Sequence, residues 1–181
     1  MIHCRLLVCF VLGTALSVHG QVGAKGEAQL RLALSEVQPG SMSSQHYCML
    51  VFADRRFHEE KAIRGSGQAW EGTVYEGNLS DTEWNALDGI LESQSFRSLN
   101  VRPGYVPLTI QNAHSFTISV RRQTEFQNME FLDDSSRKPY DSQLKPLFQW
   151  WKSARSKRLT PSDAPADARC KLDSSGGVFS Y

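Results

Sequence analysis

Residues 79–91 read LSDTEWNALDGIL, and this stretch predicts a helix together with the point at which it begins. Ser80 can accept a hydrogen bond from the backbone amide of Glu83, and the Glu83 carboxylate can reach back to the amide of Ser80, which makes a capping box. Apolar residues then recur at helical spacing, at Trp84, Leu87 and Leu91. We therefore expect a helix that ends near Ser93 and turns its apolar side toward a core.

Strand patterns lie on both sides of this helix. Four candidate strands precede it, namely QLRLALSEV (29–37), YCMLVF (47–52), RFHEEKAI (56–63) and WEGTVYE (70–76). Two follow it, SFTISVR (115–121) and EFQNMEFL (125–132). QLRLALSEV and SFTISVR alternate apolar and polar residues with a period of two, which is typical of strands with one buried face, whereas YCMLVF is a nearly continuous apolar run, as expected of an interior strand.

A second helix is predicted near the C-terminal end. Its apolar stripe has helical spacing and consists of Leu144, Leu147, Phe148 and Trp151. We place Pro146 in its first turn, where a missing amide costs little, and the cap near Ser142. The order strands, helix, strands, helix predicts an α+β fold: an antiparallel sheet of about five or six strands with two helices packed on one face.

The N-terminus has the pattern of a secretory signal. A short start with one positive charge precedes the apolar run at 6–18, and small residues follow at Gly20, Gly23 and Ala24. We predict a signal peptide at residues 1–20, with cleavage as late as residue 24. The run is shorter than the roughly 20 residues that span a bilayer. We expect an exported product, periplasmic or extracellular, with no transmembrane segment after cleavage; a permanent N-terminal anchor is the alternative.

The rest of the chain divides into three parts. Residues 21–45 are a leader containing a first strand, 46–156 a single α+β domain, and 157–181 a loose polar C-terminal tail. The whole chain has 20 basic and 19 acidic side chains, and removal of the signal takes away one base and no acid. The mature charge is therefore close to zero, which argues against a nucleic-acid partner, because such proteins need a basic surface.

Two cysteines, Cys48 and Cys170, remain after signal cleavage, because Cys4 and Cys9 leave with it. In an oxidising compartment two thiols most simply form one disulfide. Such a bond would stabilise the fold by about 4–5 kcal/mol in the chain-entropy description. The alternatives are a buried Cys48 with a free thiol in the tail, or a catalytic Cys48. The apolar surroundings of Cys48 disfavour the last, because burial suppresses the reactive thiolate.

The order of these segments resembles a known kind of domain. A strand hairpin runs into Tyr75-Glu76-Gly77, followed by LSDTEWNALDGIL, SFRSL (95–99), a second hairpin and LKPLFQWWK (144–152). Over about Tyr47–Arg155 this pattern is similar to small exported bacterial α+β domains of unknown function. The resemblance implies the fold and export, and it brings no activity or ligand.

Histidines and acidic residues give only weak catalytic signals. His58-Glu59-Glu60 begins like a zinc-protease motif, but that motif needs a second histidine four residues after the first, and position 62 is alanine. The histidines of the mature chain are His46, His58 and His114. His46 and His58 could face each other across the first hairpin. We expect ordinary surface or packing histidines, with no catalytic residue, metal or cofactor.

The loop at 133–139 is rich in polar residues and is expected to be a solvated turn. Asp133 and Asp134 offer adjacent carboxylates there, with Asp141 nearby, but paired catalytic carboxylates must flank a cleft about 5–10 Å wide. The alternative is a cation or ligand contact. Gly65-Ser66-Gly67 lacks the strand–turn–helix context of a nucleophile elbow and is expected to be a flexible loop.

The second helix ends in aromatic and basic residues. Trp151 belongs to the apolar stripe, while Trp150 is rotated about 100° from it and is expected at its edge. The basic residues complement the negative end of the helix dipole. Candidate surface contacts for an anionic lipid or envelope polymer are Trp150, Lys152, Arg155 and Arg158.

These patterns favour a non-catalytic exported domain that binds a protein or a cell-envelope component. The alternative is a secreted or periplasmic hydrolase whose site is assembled from distant residues, among them His58, His114, Asp133 and Asp134. A third reading is a structural envelope protein with neither a pocket nor an exposed docking surface. The partner and the oligomeric state are left open.

Overall fold

Six antiparallel strands form one sheet in the computed structural model, which describes residues 29–65, 71–101, 114–157, 160–167 and 170. The strands are β1 Leu30–Pro39, β2 Ser43–Phe52, β3 Arg56–Gly65, β4 Glu71–Asn78, β5 Ser115–Arg122 and β6 Glu125–Phe131. Their order in the sheet is β4-β3-β2-β1-β5-β6, and every neighbouring pair is antiparallel. The predicted α+β class and the upper estimate of six strands are confirmed, and β1 lies in the interior of the sheet.

The helices are more numerous than the two predicted. The described residues contain α1 Asp81–Glu92, α2 Gln94–Arg97, α3 Asp134–Arg137 and α4 Asp141–Ser156, with a 3-10 helix at Lys138–Tyr140. The two longer helices, α1 and α4, are the predicted ones. The short ones escaped prediction because a four-residue helix has no room for an apolar stripe.

Capping side chains explain where α1 and α2 begin. The backbone amide of Glu83 donates to Ser80 Oγ at 3.3 Å, and the amide of Ser80 donates to Glu83 Oε2 at 3.0 Å, so the predicted capping box is confirmed. Ser93 ends α1 and caps α2 through the amide of Phe96. Phe96 is fully buried, so this short helix returns the chain to the core.

The polar loop predicted at 133–139 is instead helical. Asp133 caps α3, because its carboxylate accepts from the amide of Ser136 at 2.7 Å and Ser136 Oγ accepts from the amide of Asp133. The 3-10 helix then leads directly into α4, which consequently begins at Asp141 with no side-chain cap. Pro146 is therefore the sixth residue of α4, beyond the first turn in which we had placed it, and its missing amide leaves the carbonyl of Ser142 without the usual helical partner.

The two faces of the sheet are covered differently. On the face that we call the helix face, strand residues such as Leu34, Met49 and Ile118 share one core with the buried side of α1 and α4. On the opposite face, here the disulfide face, a smaller apolar cluster contains Leu30, Ala33, Cys48, Leu50, Phe52 and Cys170. Alternation along the strands produces this division, since successive side chains point to opposite faces, and a register irregularity in β1 between Leu30 and Leu32 puts Leu30 on the disulfide face.

A C-terminal segment ties back to the sheet at two points. The amide of Ser162 donates to the carbonyl of Val74 in β4 at 2.8 Å. The predicted disulfide between Cys48 and Cys170 is confirmed, with Cα atoms 5.6 Å apart. The predicted signal peptide lies outside the described residues, as does the Gly65-Ser66-Gly67 loop beyond residue 65. No helix in the described part of the chain is long and apolar enough to cross a membrane.

Candidate functional site

A pocket of about 930 Å³ opens on the helix face, between α4 and strands β1 to β5. Its aromatic walls are Tyr47, Tyr75, Phe116, Phe148 and Trp151. Its charged lining contains five basic residues, Lys61, Arg137, Lys145, Lys152 and Arg155, and three acidic ones, Glu36, Glu59 and Asp141. The pocket thus combines apolar surface with a surplus of two positive charges.

Two buried carboxylates lie at the pocket and share one arginine. Glu36 of β1 and Glu59 of β3 are only 6% and 4% exposed. Arg155 of α4 places Nη1 3.1 Å from Glu36 Oε2 and Nε 3.7 Å from Glu59 Oε1. Its guanidinium also lies 3.7 Å from the centre of the Tyr47 ring, a cation–π distance. A buried charge is tolerated when it is paired, so Arg155 helps both carboxylates to remain in this position, and Glu36 also accepts a hydrogen bond from Gln38.

His114 also contacts Glu36, one of these two buried carboxylates. Its Nε2 lies 3.0 Å from Glu36 Oε1, and its Nδ1 lies 3.2 Å from Asp134 Oδ1. Asp133, next to Asp134, is occupied as the cap of α3, and its hydrogen bonds with Ser136 and Ser135 lower its pKa. The helix face therefore brings His114 and Asp134 together, while His114 is outside the described lining of the pocket.

His58 lies on the disulfide face, so it does not join His114. Its Nε2 is 2.7 Å from Glu60 Oε1 and its Nδ1 is 2.9 Å from Glu76 Oε1. Burial opposes the charged imidazolium, but the hydrogen bonds to these two carboxylates outweigh it and raise the pKa of His58.

His46 also lies on the disulfide face, but it does not lie opposite His58 across the hairpin, as the sequence had allowed. His46 pairs with Ala62, and His58 pairs with Leu50, because the β2–β3 register is offset. Ser35 Oγ lies 2.8 Å from His46 Nε2. Burial lowers the pKa of His46 to about 4, and the nearby negative charge of Glu60 only partly opposes this.

The two adjacent tryptophans have distinct surroundings. Trp150 is 8% exposed, and its indole N–H donates to the carbonyl of Glu83 at 3.0 Å, so it joins α4 to α1. Trp151 lines the pocket, and its buried indole N–H has no acceptor among the described residues. Trp151 therefore lines the pocket, whereas the sequence pattern had suggested Trp150 as the candidate surface contact.

The basic residues at the end of α4 also have different surroundings. Lys152 and Arg155 line the pocket, and Lys157 pairs with Glu83 at 3.2 Å. Arg158 lies outside the described residues. Sequence reasoning explained the basic end through the helix dipole, which accounts for its charge but misses the specific pairing of Arg155 with two buried carboxylates.

Sequence reasoning also missed Glu36 and Glu59. A usable signal was present, because each continues the register of the residues that face the helices: Glu36 follows Leu32 and Leu34, and Glu59 follows Phe57. An acidic residue at an apolar position predicts a buried charge that needs a partner.

Comparison with known proteins does not identify a family for this chain. No protein-family model matches the chain. No curated protein matches it either. The resemblance to small exported bacterial domains therefore stays a prediction.

Proposed function

We propose that this chain is an exported, non-catalytic binding domain whose helix-face pocket holds an anionic group carried on an apolar body. The occupant would belong to a protein or to a cell-envelope component. The observation that carries the proposal is the pocket itself, in which aromatic walls stand beside a surplus of basic side chains. Binding sites for small molecules commonly combine apolar walls with a few fixed polar groups.

Export is supported by two independent features. The first is the charged start and apolar run at 1–18, which has the order of a secretory signal. The second is the Cys48–Cys170 disulfide, since disulfides persist mainly in oxidising compartments. An exported domain without a recognisable catalytic motif is expected to act through what it binds.

The charges of the pocket favour an anion over a cation. Glu36 and Glu59 are engaged by Arg155, so they are not available to a cationic ligand without breaking a buried pair. Lys145 and Lys152 are exposed on α4 and make no ion pair among the described residues. These two lysines are therefore the groups that would attract an anion to the mouth of the pocket.

Trp151 supports the same assignment. Its ring forms part of the pocket wall beneath the Arg155 guanidinium, and its buried indole N–H is a donor without an acceptor in the described structure. Tryptophan normally satisfies this donor when it is buried. The indole is only 2% exposed, so neighbouring side chains would have to shift for an oxygen atom of the ligand to supply the acceptor.

The proposal is tested with two related fluorescent probes, 8-anilinonaphthalene-1-sulfonate and its uncharged analogue N-phenyl-1-naphthylamine. We expect the sulfonate to bind the oxidised protein more tightly. The double variant Lys145→Gln/Lys152→Gln should weaken sulfonate binding about fivefold, at roughly 0.5 kcal/mol for each exposed charge, and should leave binding of the neutral probe unchanged. Lys138→Gln is the matched control, because Lys138 is exposed and does not line the pocket.

Equal loss in the control variant, or no preference for the sulfonate, would contradict an anion site. Binding must also be saturable and fit a single site, since this kind of probe also binds nonspecifically to loosely folded protein. Trp151→Phe keeps an aromatic ring and removes the N–H. It should weaken binding of the sulfonate and leave binding of the neutral probe unchanged.

The alternative function, a secreted or periplasmic hydrolase, has one observation in its favour. His114 lies between Glu36 and Asp134, and Glu36 reaches the pocket, so a histidine flanked by two carboxylates stands beside a bound group. A general base must lie within hydrogen-bond reach of the proton that it removes. Turnover of an ester or phosphate monoester that is abolished in His114→Gln, with probe binding intact, would replace the binding proposal with the enzyme.

A further inference from the structure

The disulfide face carries a second group of chemically active side chains, separate from the pocket. His58 and Glu60 are neighbours on one face of β3, and Cys48 lies opposite Glu60 in β2. Cys170 arrives from the C-terminal segment through its bond to Cys48. One ligand-capable atom from each of His58, Glu60 and Cys170 falls within 4.8 Å of the other two, and all three residues are buried. The two sulfurs, one imidazole and one carboxylate are thus gathered at one point.

We propose that reduction of the Cys48–Cys170 disulfide converts this cluster into a binding site for a thiophilic divalent metal ion, with zinc as the best fit. The four ligands are Cys48 Sγ, Cys170 Sγ, His58 Nε2 and a Glu60 oxygen. Zinc accepts this mixture of sulfur, nitrogen and oxygen donors in a tetrahedral arrangement. In the oxidised chain the two sulfurs are bonded to each other and supply no thiolate, so the site exists only in the reduced chain.

The chemical step needs a dithiol reductant, such as a thiol–disulfide reductase. Its thiolate attacks the Cys170 sulfur, the Cys48–Cys170 bond breaks, and Cys48 leaves as a thiolate that takes up a proton. The second thiol of the reductant then resolves the mixed disulfide, so the reductant ends as a disulfide and the protein gains two thiols. The metal displaces the two thiol protons and the proton held between His58 and Glu60, and these pass to water.

The surroundings already contain the outer contacts that such a site needs. Glu76 Oε1 lies 2.9 Å from His58 Nδ1, on the side of the ring away from Glu60. A carboxylate in this position holds the proton on Nδ1 and leaves Nε2 to bind the metal, an arrangement common among zinc histidines. The backbone amide of Asp167 donates to Glu60 Oε1 and orients that carboxylate.

The two sulfurs differ in how they can adjust. Cys48 is fixed in β2 between two paired strands. Cys170 lies outside the helices and strands, so it can move to the distance that two zinc-bound sulfurs require without breaking the sheet. Metal and disulfide are therefore alternative ways of attaching residue 170 to the same strand, and the inference does not depend on the occupant of the pocket.

The test uses Co²⁺ as a spectroscopic substitute for zinc. Cys4→Ser/Cys9→Ser is the parent, because the other two cysteines of the sequence could also bind metal. The protein is reduced with dithiothreitol, desalted without oxygen and titrated with Co²⁺, while the oxidised protein is titrated in parallel. We expect one ion per reduced chain, with a thiolate-to-cobalt charge-transfer band and the intense visible bands of tetrahedral Co²⁺. The oxidised protein should show neither band.

Matched variants separate this site from two thiols that bind metal alone. His58→Gln and Glu60→Gln should each weaken Co²⁺ binding at least about tenfold. His46→Gln, on the same face but outside the cluster, should leave the affinity unchanged. If the reduced metal-free chain unfolds, Co²⁺ must restore the native circular dichroism. The inference is overturned if the reduced parent gives no thiolate band, binds cobalt while unfolded, or keeps its affinity in His58→Gln.

Discussion

The two faces of the sheet exclude water in different ways. The helix face is covered by α1 and α4, whose apolar sides carry their own helical spacing and pack into one large core. The disulfide face has a small apolar cluster, and its cover includes a short C-terminal segment held by Ser162 and by the bond between Cys48 and Cys170. One side of the protein is thus held mainly by packing and the other by a covalent link, and we expect them to respond differently to mutation, reduction and pH.

Removal of the disulfide should have the largest effect. In Cys48→Ala/Cys170→Ala the unfolded chain regains the freedom of a loop whose ends are 122 residues apart, so the free energy of unfolding should fall by about 4 kcal/mol. Urea denaturation followed by circular dichroism measures this, with Cys4→Ser/Cys9→Ser as the control. A loss below about 1 kcal/mol would mean that packing, and not the link, holds the disulfide face.

Truncation in the core of the helix face should come next. Leu147 of α4 is fully buried, and Leu147→Ala should lower the free energy of unfolding by about 3 kcal/mol, through lost burial and the cavity that remains. Ser153→Ala, at an exposed position of the same helix, should change it by less than about 0.5 kcal/mol. Combining Leu147→Ala with the cysteine variant should give additive losses if the two faces act independently. Strong non-additivity would remove the distinction between them.

Acid should affect the disulfide face through His46. Burial lowers the pKa of His46 in the folded protein to about 4, against an ordinary value of 6.5, so the unfolded chain binds this proton more readily. Stability from this group is therefore complete above about pH 6.5 and is lost as the pH falls toward 4. His46→Gln should reduce the loss of unfolding free energy between pH 7 and pH 4.5 by about 2 kcal/mol, measured by urea denaturation at both values. An unchanged pH dependence would show that His46 is not responsible.

Local sequence patterns predicted most of the fold. The six strands, the start of α1 and the stripe of α4 are each decided within a few residues, by alternation, by capping and by helical spacing. The helix α3 was missed because a single capping aspartate, Asp133, outweighs a polar composition that is typical of loops. The strand order could not be predicted either, because β1 pairs with β5, which is distant in the sequence, and no local pattern specifies that pairing.

The pocket was harder to predict than the fold, for a physical reason. The pattern of β1 marks Glu36 as a buried charge that needs a partner, but Arg155 lies 119 positions away and nothing local identifies it as that partner. Their contact follows from the position of α4 over the sheet, which sequence patterns do not specify. The disulfide was predictable because two cysteines remain once the predicted signal peptide is set aside, and two cysteines have only one intramolecular way to pair.

The interior position of β1 has a consequence for folding during synthesis. Strands β1 to β4 follow one another as a meander, so they can pair as soon as they emerge from the ribosome. The other edge of β1 pairs with β5, which begins only at Ser115. Until that residue has emerged, the backbone amides and carbonyls along this edge have no strand to bind, and such edges readily recruit other chains. A chain held unfolded until its C-terminal half is available would avoid joining to a second copy.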